Sequence, residues 1–496
     1  MTAMPPSLRA SGAERSRRGE SAASPLVVVA NRLPVHRSKD GEWETSPGGL
    51  APALTAALRG REGMWIGWNG ETRKVETPSS VEGISLHAVE LSKREVEEFY
   101  LGFSNATLWP LYHDAVRSPT YHREWWYAYR DVNQRFAAAA AAVAPLGGMV
   151  WVHDYQLQLV PGMLRLLRPD VRIGFFLHIP FPPRELFLQL PWRGELLAGL
   201  LGADLVGFQV PGAASNFSRL ARRLSEARGT NAAIEFEGRT ISVDAFPISV
   251  DVDSLTALAT SPSTTAAATR VRAELGDPEI VLLGVDRLDY TKAIDHRLRA
   301  IAELYADGTL KPGRDVVVQV AVPSREEDAH YAEERRHLEQ IVSEVNGEYA
   351  IVGHPVIHYL HQSFPLDELV AMYLAADVML VTPFRDGMNL VAKEYVASRV
   401  DLTGALVLSE FAGAASELRG AFLVNPHDLD GVKDTIARAI DATPRDRRAR
   451  MHRMRRTVLR HDAHTWANEF LDALARQKGT VQDGGAAPRH GATARG

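Results

Sequence analysis

The chain reads as short apolar runs separated by amphipathic stretches, the pattern of parallel sheets whose strands are buried on both faces. Residues 26–30 form a β-branched run that stops at Asn31-Arg32, a first strand. A polar, hairpin-like excursion follows with Asp40-Gly41 as its turn, and Pro47-Gly48-Gly49 then leads into an Ala- and Leu-rich helix over 50–58. Strands are predicted at 64–68 and 84–91, then a helix at 92–103 that Ser92 caps with Glu95 three residues on. A long helix covers 121–144. Strands at 149–153, 172–177 and 205–208 each stop on polar groups, at His153-Asp154, His178 and Gln209. A hairpin joins 234–236 to 240–246.

Near 247–251 the pattern restarts. Strands at 280–285, 316–322, 356–360, 378–381, 405–408 and 421–424 alternate with helices at 295–305, 326–345, 366–375, 390–397 and 429–440. That is βαβ repetition. Two last amphipathic helices, 445–461 and 463–477, have no strand after them. The expected fold class is α/β, with two Rossmann-like doubly wound parallel sheets facing a cleft. The expected division is a tail at 1–24, domains at 25–248 and 249–460, a helix at 461–477 returning to the first domain, and a tail at 478–496.

The 496 residues are too many for one core, and that length leads one to expect two or three domains. A net charge of -5 argues against a general nucleic-acid or membrane-surface binder. The absence of cysteine excludes disulfides, thiolate metal sites and a cysteine nucleophile, and it fits a cytoplasmic location. No apolar run approaches the roughly 18 residues of a membrane span.

Candidate chemistry gathers at predicted strand ends. Residues 385–395, Arg-Asp-Gly-Met-Asn-Leu-Val-Ala-Lys-Glu-Tyr, follow a buried strand and open a helix, a geometry that presents free backbone N–H groups to an anion. Asp386 and Glu394 bracket this stretch, either as an acid/base pair or as ligands for hydroxyls; an ordinary loop with solvated charges has the same pattern. Arg287 and Lys292 end another strand, where two cations suit a diphosphate leaving group and equally suit ion pairs with Asp286 and Asp289. Arg32 and Arg325 end two more. Four cations at strand ends of an acidic protein suggest a locally positive cleft. Asp251-Val252-Asp253 reads as a helix start rather than a metal site. The dinucleotide fingerprint and the Walker A loop are both missing.

In order along the chain stand Asn31-Arg32, Pro47-Gly48-Gly49-Leu50, Gly67-Trp68-Asn69-Gly70, the Phe-Ser-Asn-Ala-Thr-Leu-Trp-Pro run at 103–110, Trp151-Val152-His153-Asp154-Tyr155, Phe176-Leu177-His178-Ile179-Pro180, Arg287-Leu288-Asp289-Tyr290-Thr291-Lys292 and the 385–395 stretch. Together they resemble the trehalose-6-phosphate synthase family of retaining glucosyltransferases, over about 26–477. The resemblance implies a glycosyltransferase-B fold and transfer of glucose from a nucleotide-glucose (UDP-, ADP- or GDP-) to glucose 6-phosphate. It implies that Arg32, Trp68, Tyr100, Trp109, Asp154 and Arg325 hold the acceptor. Gly48, Gly49, Arg287, Lys292, Phe364, Asp386, Leu390, Val391, Ala392, Lys393 and Glu394 would hold the donor, with Asp386 on the glucose hydroxyls and Glu394 on the ribose. His178, Arg287, Lys292, Asp386 and Trp109 would surround the reacting centre. No cofactor, metal, nucleic acid or membrane is implied, and a homo-oligomer, often a tetramer, is. One departure concerns Ala293, where the family usually has glycine after Lys292; if φ is positive there, alanine costs roughly 1 kcal/mol.

Overall fold

The structure is a computed structural model that describes residues 26–38, 41–45, 54, 55, 58, 63–325 and 329–477. Asp40, Gly48, Gly49, most of the predicted 50–58 helix and both predicted tails lie outside the described residues.

Two sheets carry the chain. The first has ten strands in the order Arg228–Gly229, Ala233–Phe236, Arg239–Ala245, Leu205–Phe208, Arg172–Phe176, Met149–His153, Leu26–Arg32, Gly63–Trp68, Ile84–Ala88, Ser80–Val81. Its interior is parallel, and antiparallel pairs close both edges. The second sheet has six parallel strands, Ile357–Leu360, Asp315–Val322, Ile280–Arg287, Val378–Val381, Ala405–Ser409 and Phe422–Val424.

Burial on both faces explains the apolar runs. Along the first strand Leu26, Val28 and Ala30 pack into one cluster, and Val27 and Val29 into another on the opposite face. In both sheets the strand order reverses at a central strand. Leu26–Arg32 lies between Met149–His153 and Gly63–Trp68, and Ile280–Arg287 lies between Asp315–Val322 and Val378–Val381. The crevice outside strand C-termini at such a reversal is where open α/β sheets take ligands.

The polar excursion is a paired hairpin, Val35–Arg37 with Trp43–Thr45, as its turn signal suggests. Other elements differ from expectation. The strand expected at 84–91 stops at Ala88. The helix expected at 92–103 does not end there: after the Ser92 capping box, the chain runs on as a π-helix, Val96–Leu108, and then as an α-turn, Trp109–Tyr112. Trp109 N–H donates to Ser104 O, five residues back, as this wider winding requires. The helix start read at Asp251 is present, Asp251 capping Val252–Thr260, and an unforeseen second helix, Pro262–Glu274, follows it with Ser261 as its cap. The last helix, Ala463–Ala475, lies on the first sheet: Phe470 stacks on Trp151 at 4.6 Å, and Trp466 Nε1 donates to Phe246 O. No helix among the described residues is long and apolar enough to cross a membrane.

Candidate active site

From the first sheet, Arg32 emerges where its strand ends and lies over the Trp68 ring at 4.1 Å, with Tyr100 at 5.9 Å. Tyr100 and Trp109 reach the same place because of the π winding. At roughly 4.4 residues per turn they stand two turns apart on one face, whereas α winding at about 3.6 would point them oppositely. Trp109 stacks against Arg325 at 4.3 Å and meets Arg287 at 5.4 Å, both from the second sheet. Burial pushes the Tyr100 phenol up, but the charges of Arg325, Arg32 and Arg287 outweigh that and leave it lowered. Three guanidinium groups therefore act on one phenol. Among the described residues, neither Arg32 nor Arg287 has a carboxylate partner in an ion pair.

Asp154 follows the strand Met149–His153 with φ 74°, and its carboxylate turns back to accept the His178 N–H at 3.1 Å. Burial raises its carboxyl to about 6, against the pull of backbone hydrogen bonds and of Arg287. Arg325 donates to Asp289 at 3.5 Å and to Tyr155 Oη at 3.4 Å, and it also contacts Tyr331 Oη. Asp289 is held at about 2: burial would raise it, and Arg325, Arg287 and Lys292 overcome that.

On the second sheet Lys292 Nζ lies 2.5 Å from Asp386, and Asn389 Nδ2 donates to the same carboxylate oxygen at 3.1 Å. Burial pushes Asp386 up, and these two partners bring it below its ordinary value. Asn389 also caps the helix Leu390–Ser398 by accepting from Ala392 N–H, so the first-turn N–H groups of Leu390 and Val391 lack intrahelical acceptors. Glu394 accepts from Tyr373 Oη at 3.0 Å, and its burial raises it. Ala293, between Lys292 and the helix Ile294–Ala306, is left-handed at φ 51°, ψ 39°. Asp154, Ala293, Arg325 and Asn389 all have positive φ, so backbone strain gathers around the crevice.

One expected residue stands apart. Lys393 is 1% exposed, with its ammonium bound to Ile248 O at 2.7 Å and Glu417 at 2.6 Å, so its side chain joins elements instead of facing the crevice. Phe364 lines a cavity of about 660 Å³ between the helices Pro262–Glu274 and Leu366–Ala375, together with Leu283, Val318 and Leu360.

The two halves meet at this point. Gly387 passes so close to the first sheet that a Cβ on it would lie 2.1 Å from His178 O. Arg385 pairs with Asp114 at 3.4 Å, and Arg117 lies over Tyr290 at 4.8 Å.

The sequence matches glycosyltransferase family 20 over residues 24–476. The chain belongs to that family. It is 56% identical over 477 residues to the trehalose-6-phosphate synthase of Mycolicibacterium smegmatis, covering 94% of this chain and 95% of that one. Among solved structures it resembles an E. coli relative bound with UDP-2-fluoro glucose, with TM-score 0.83, 34% identity and coverage of 91% and 99%. It also resembles the Burkholderia xenovorans α,α-trehalose-phosphate synthase (UDP-forming) in complex with glucose-6-phosphate, with TM-score 0.83, 34% identity and coverage of 90% and 99%. The fold is the glycosyltransferase-B fold, and the activity class is that of the trehalose-phosphate synthases, which are glycosyltransferases.

Several residues that hold this family member's site together have no substrate role in the sequence reading. Tyr155, Asp289 and Tyr331 hold Arg325, and His153 touches His178. Arg297 is buried among Asp286 at 2.6 Å, Gln319 at 2.9 Å and Thr382 at 3.0 Å, tying three strands beneath the Lys292 loop. Its signal was present: it falls in the inward stripe of Ile294, Leu298 and Ile301, where a charged residue must find a partner.

Proposed function

We propose that this chain moves glucose from a nucleotide-glucose, with UDP-glucose the first candidate, to glucose 6-phosphate with retention, giving α,α-trehalose 6-phosphate and the nucleoside diphosphate. The observation that carries this reading is the convergence of Arg32, Arg287 and Arg325 on Tyr100, with Lys292 and Asp386 on the adjoining loop. Phosphate groups on both substrates need such a site. The relatives solved with UDP-2-fluoro glucose and with glucose-6-phosphate support the same pair.

In this reading Arg32 and Arg325 take the acceptor phosphate, with Trp68, Tyr100, Trp109 and Asp154 around its sugar. Arg287 and Lys292 face the donor diphosphate, aided by the first-turn N–H groups of the helix that opens at Leu390; Gly48, Gly49 and Phe364 complete the donor side. Asp386 holds the glucose hydroxyls, Glu394 the ribose, and His178 stands beside the reacting sugar. The acceptor's anomeric hydroxyl oxygen bonds to the donor C1 on the face that the diphosphate leaves, the C1–phosphate bond breaks, and the hydroxyl proton passes to the departing phosphate oxygen. Asp386 and Asp154 are already engaged by Lys292, Asn389 and backbone N–H groups, which favours binding roles over a nucleophile. The protein then contributes positioning and countercharge. The domain limits 25–248 and 249–460, a homo-oligomer and a cytoplasmic location belong to the same proposal.

The test offers UDP-, ADP- and GDP-glucose in turn with glucose 6-phosphate and identifies the product and its anomeric configuration by NMR. No trehalose 6-phosphate with any donor sinks the reading. In the same assay Arg287→Ala should abolish turnover, while Arg325→Ala should mainly raise the acceptor KM; equal effects on both parameters in the two variants would undo that division of roles.

A further inference from the structure

His153 ends a central strand, pairs in register with Phe176 of the neighbouring strand, and is fully buried. Its Nδ1 lies 3.1 Å from Nε2 of His178, and the two rings are nearly coplanar, 24° apart with centroids 5.3 Å apart. That is an edge-to-edge hydrogen bond between imidazoles. Burial keeps both rings neutral: His178 is lowered to about 3, and His153 well below its ordinary value. Each ring therefore carries one N–H, and only one of the pair can donate across the contact.

The remaining nitrogen of His153 decides which. Nε2 is buried beside the Trp151 and Phe176 rings and has no hydrogen-bond partner among the described residues. If His178 donated, the His153 proton would sit on Nε2 as an orphaned buried donor, the rarer and costlier defect. If His153 donates from Nδ1, Nε2 is left as an unfilled acceptor only. His178 Nε2 must then accept, and the His178 proton must occupy Nδ1. His178 is half-buried, and its Nδ1 is not among the buried unpartnered atoms, so this nitrogen is the one left open, on a residue whose carbonyl meets Gly387 across the crevice.

We propose that His153 is a positioning residue that fixes the tautomer of His178, so that His178 presents an N–H donor to the crevice and cannot accept a proton from a substrate hydroxyl. The chemistry it would meet is an oxygen acceptor, a sugar hydroxyl or a phosphate oxygen. The proposal rests on the reading above that His178 stands beside the reacting sugar. It also supplies a reason for the proton to go to the departing phosphate: the nearest imidazole offers no free lone pair.

Two measurements test it. In the full-length protein labelled with ¹⁵N-histidine, long-range ¹H–¹⁵N correlation should show His178 protonated at Nδ1 and bare at Nε2, the signal being assigned by its loss in His178→Gln. A proton on Nε2 overturns the proposal. This arm needs no substrate, so it decides the tautomer even if no sugar transfer occurs. In the kinetic arm, His153→Leu should lower kcat about 10–100-fold, the range for lost supporting hydrogen bonds, with both KM values within about twofold. His153→Asn, whose side-chain amide N–H can replace Nδ1–H, should restore most of that loss. Equal losses in the two variants, with unchanged melting temperatures, would show that volume alone matters there.

Discussion

Asp154 joins an unusual backbone, φ 74° and ψ 171°, to a carboxyl that burial lifts to about 6. If it holds the acceptor as a carboxylate, acceptor kcat/KM should fall as pH drops through about 6. The phosphate of glucose 6-phosphate titrates near the same pH, so the informative contrast is with Asp154→Asn, which should keep only the substrate's own titration. Identical acid limbs in the two profiles would remove Asp154 from acceptor binding. Stability runs the other way. An acid raised in the folded state binds its proton more tightly there, so its contribution is full below about pH 4 and is lost as pH rises through about 6. Thermal melts across that window should slope less for Asp154→Asn than for the parent.

At the scale of elements, the junction between the Lys292 loop and its helix is the clearest case of a local rule broken. Ala293 is 1% exposed and left-handed, a conformation that glycine adopts without penalty. Ala293→Gly should stabilise the protein by about 1 kcal/mol, read from chemical denaturation. Turnover should change less than about twofold, because Lys292 already reaches Asp386 at 2.5 Å. A large rise in kcat would instead mean that alanine misplaces the loop. Strand ends such as Arg32, Asp154 and Arg287 were legible in the sequence, because an apolar run that stops on a charge marks them directly. The helix Pro262–Glu274 was not, since its inward face is small, with Thr264 and Ala268 where Leu or Ile would have made a stripe. The π winding that aligns Tyr100 with Trp109 was also hidden. Its local sequence is that of an ordinary helix, and the close fit of Gly102 against Trp125, 2.6 Å from a Cβ built there, is a tertiary matter. Lys393 misled for a similar reason: a lysine in a helix's first turns suggests an anion seat, and only the fold shows Glu417 and Ile248 O waiting behind it.

For the molecule as a whole, the contact of Gly387 with the His178 carbonyl sets how near the two sheets approach. A methyl group there meets backbone, which cannot swing aside as a side chain could. Gly387→Ala should cut kcat by about 100-fold or more and increase the radius of gyration in solution scattering with both substrates present. A variant that stays compact and active would show that the halves part elsewhere. The same contact bears on how such an enzyme changes its diet. With the approach of the halves limited there by main-chain atoms, side chains such as Trp68 and Tyr100, proposed above to line the acceptor's sugar, are free to be recut for an acceptor of another shape, while the spacing of the halves stays the same.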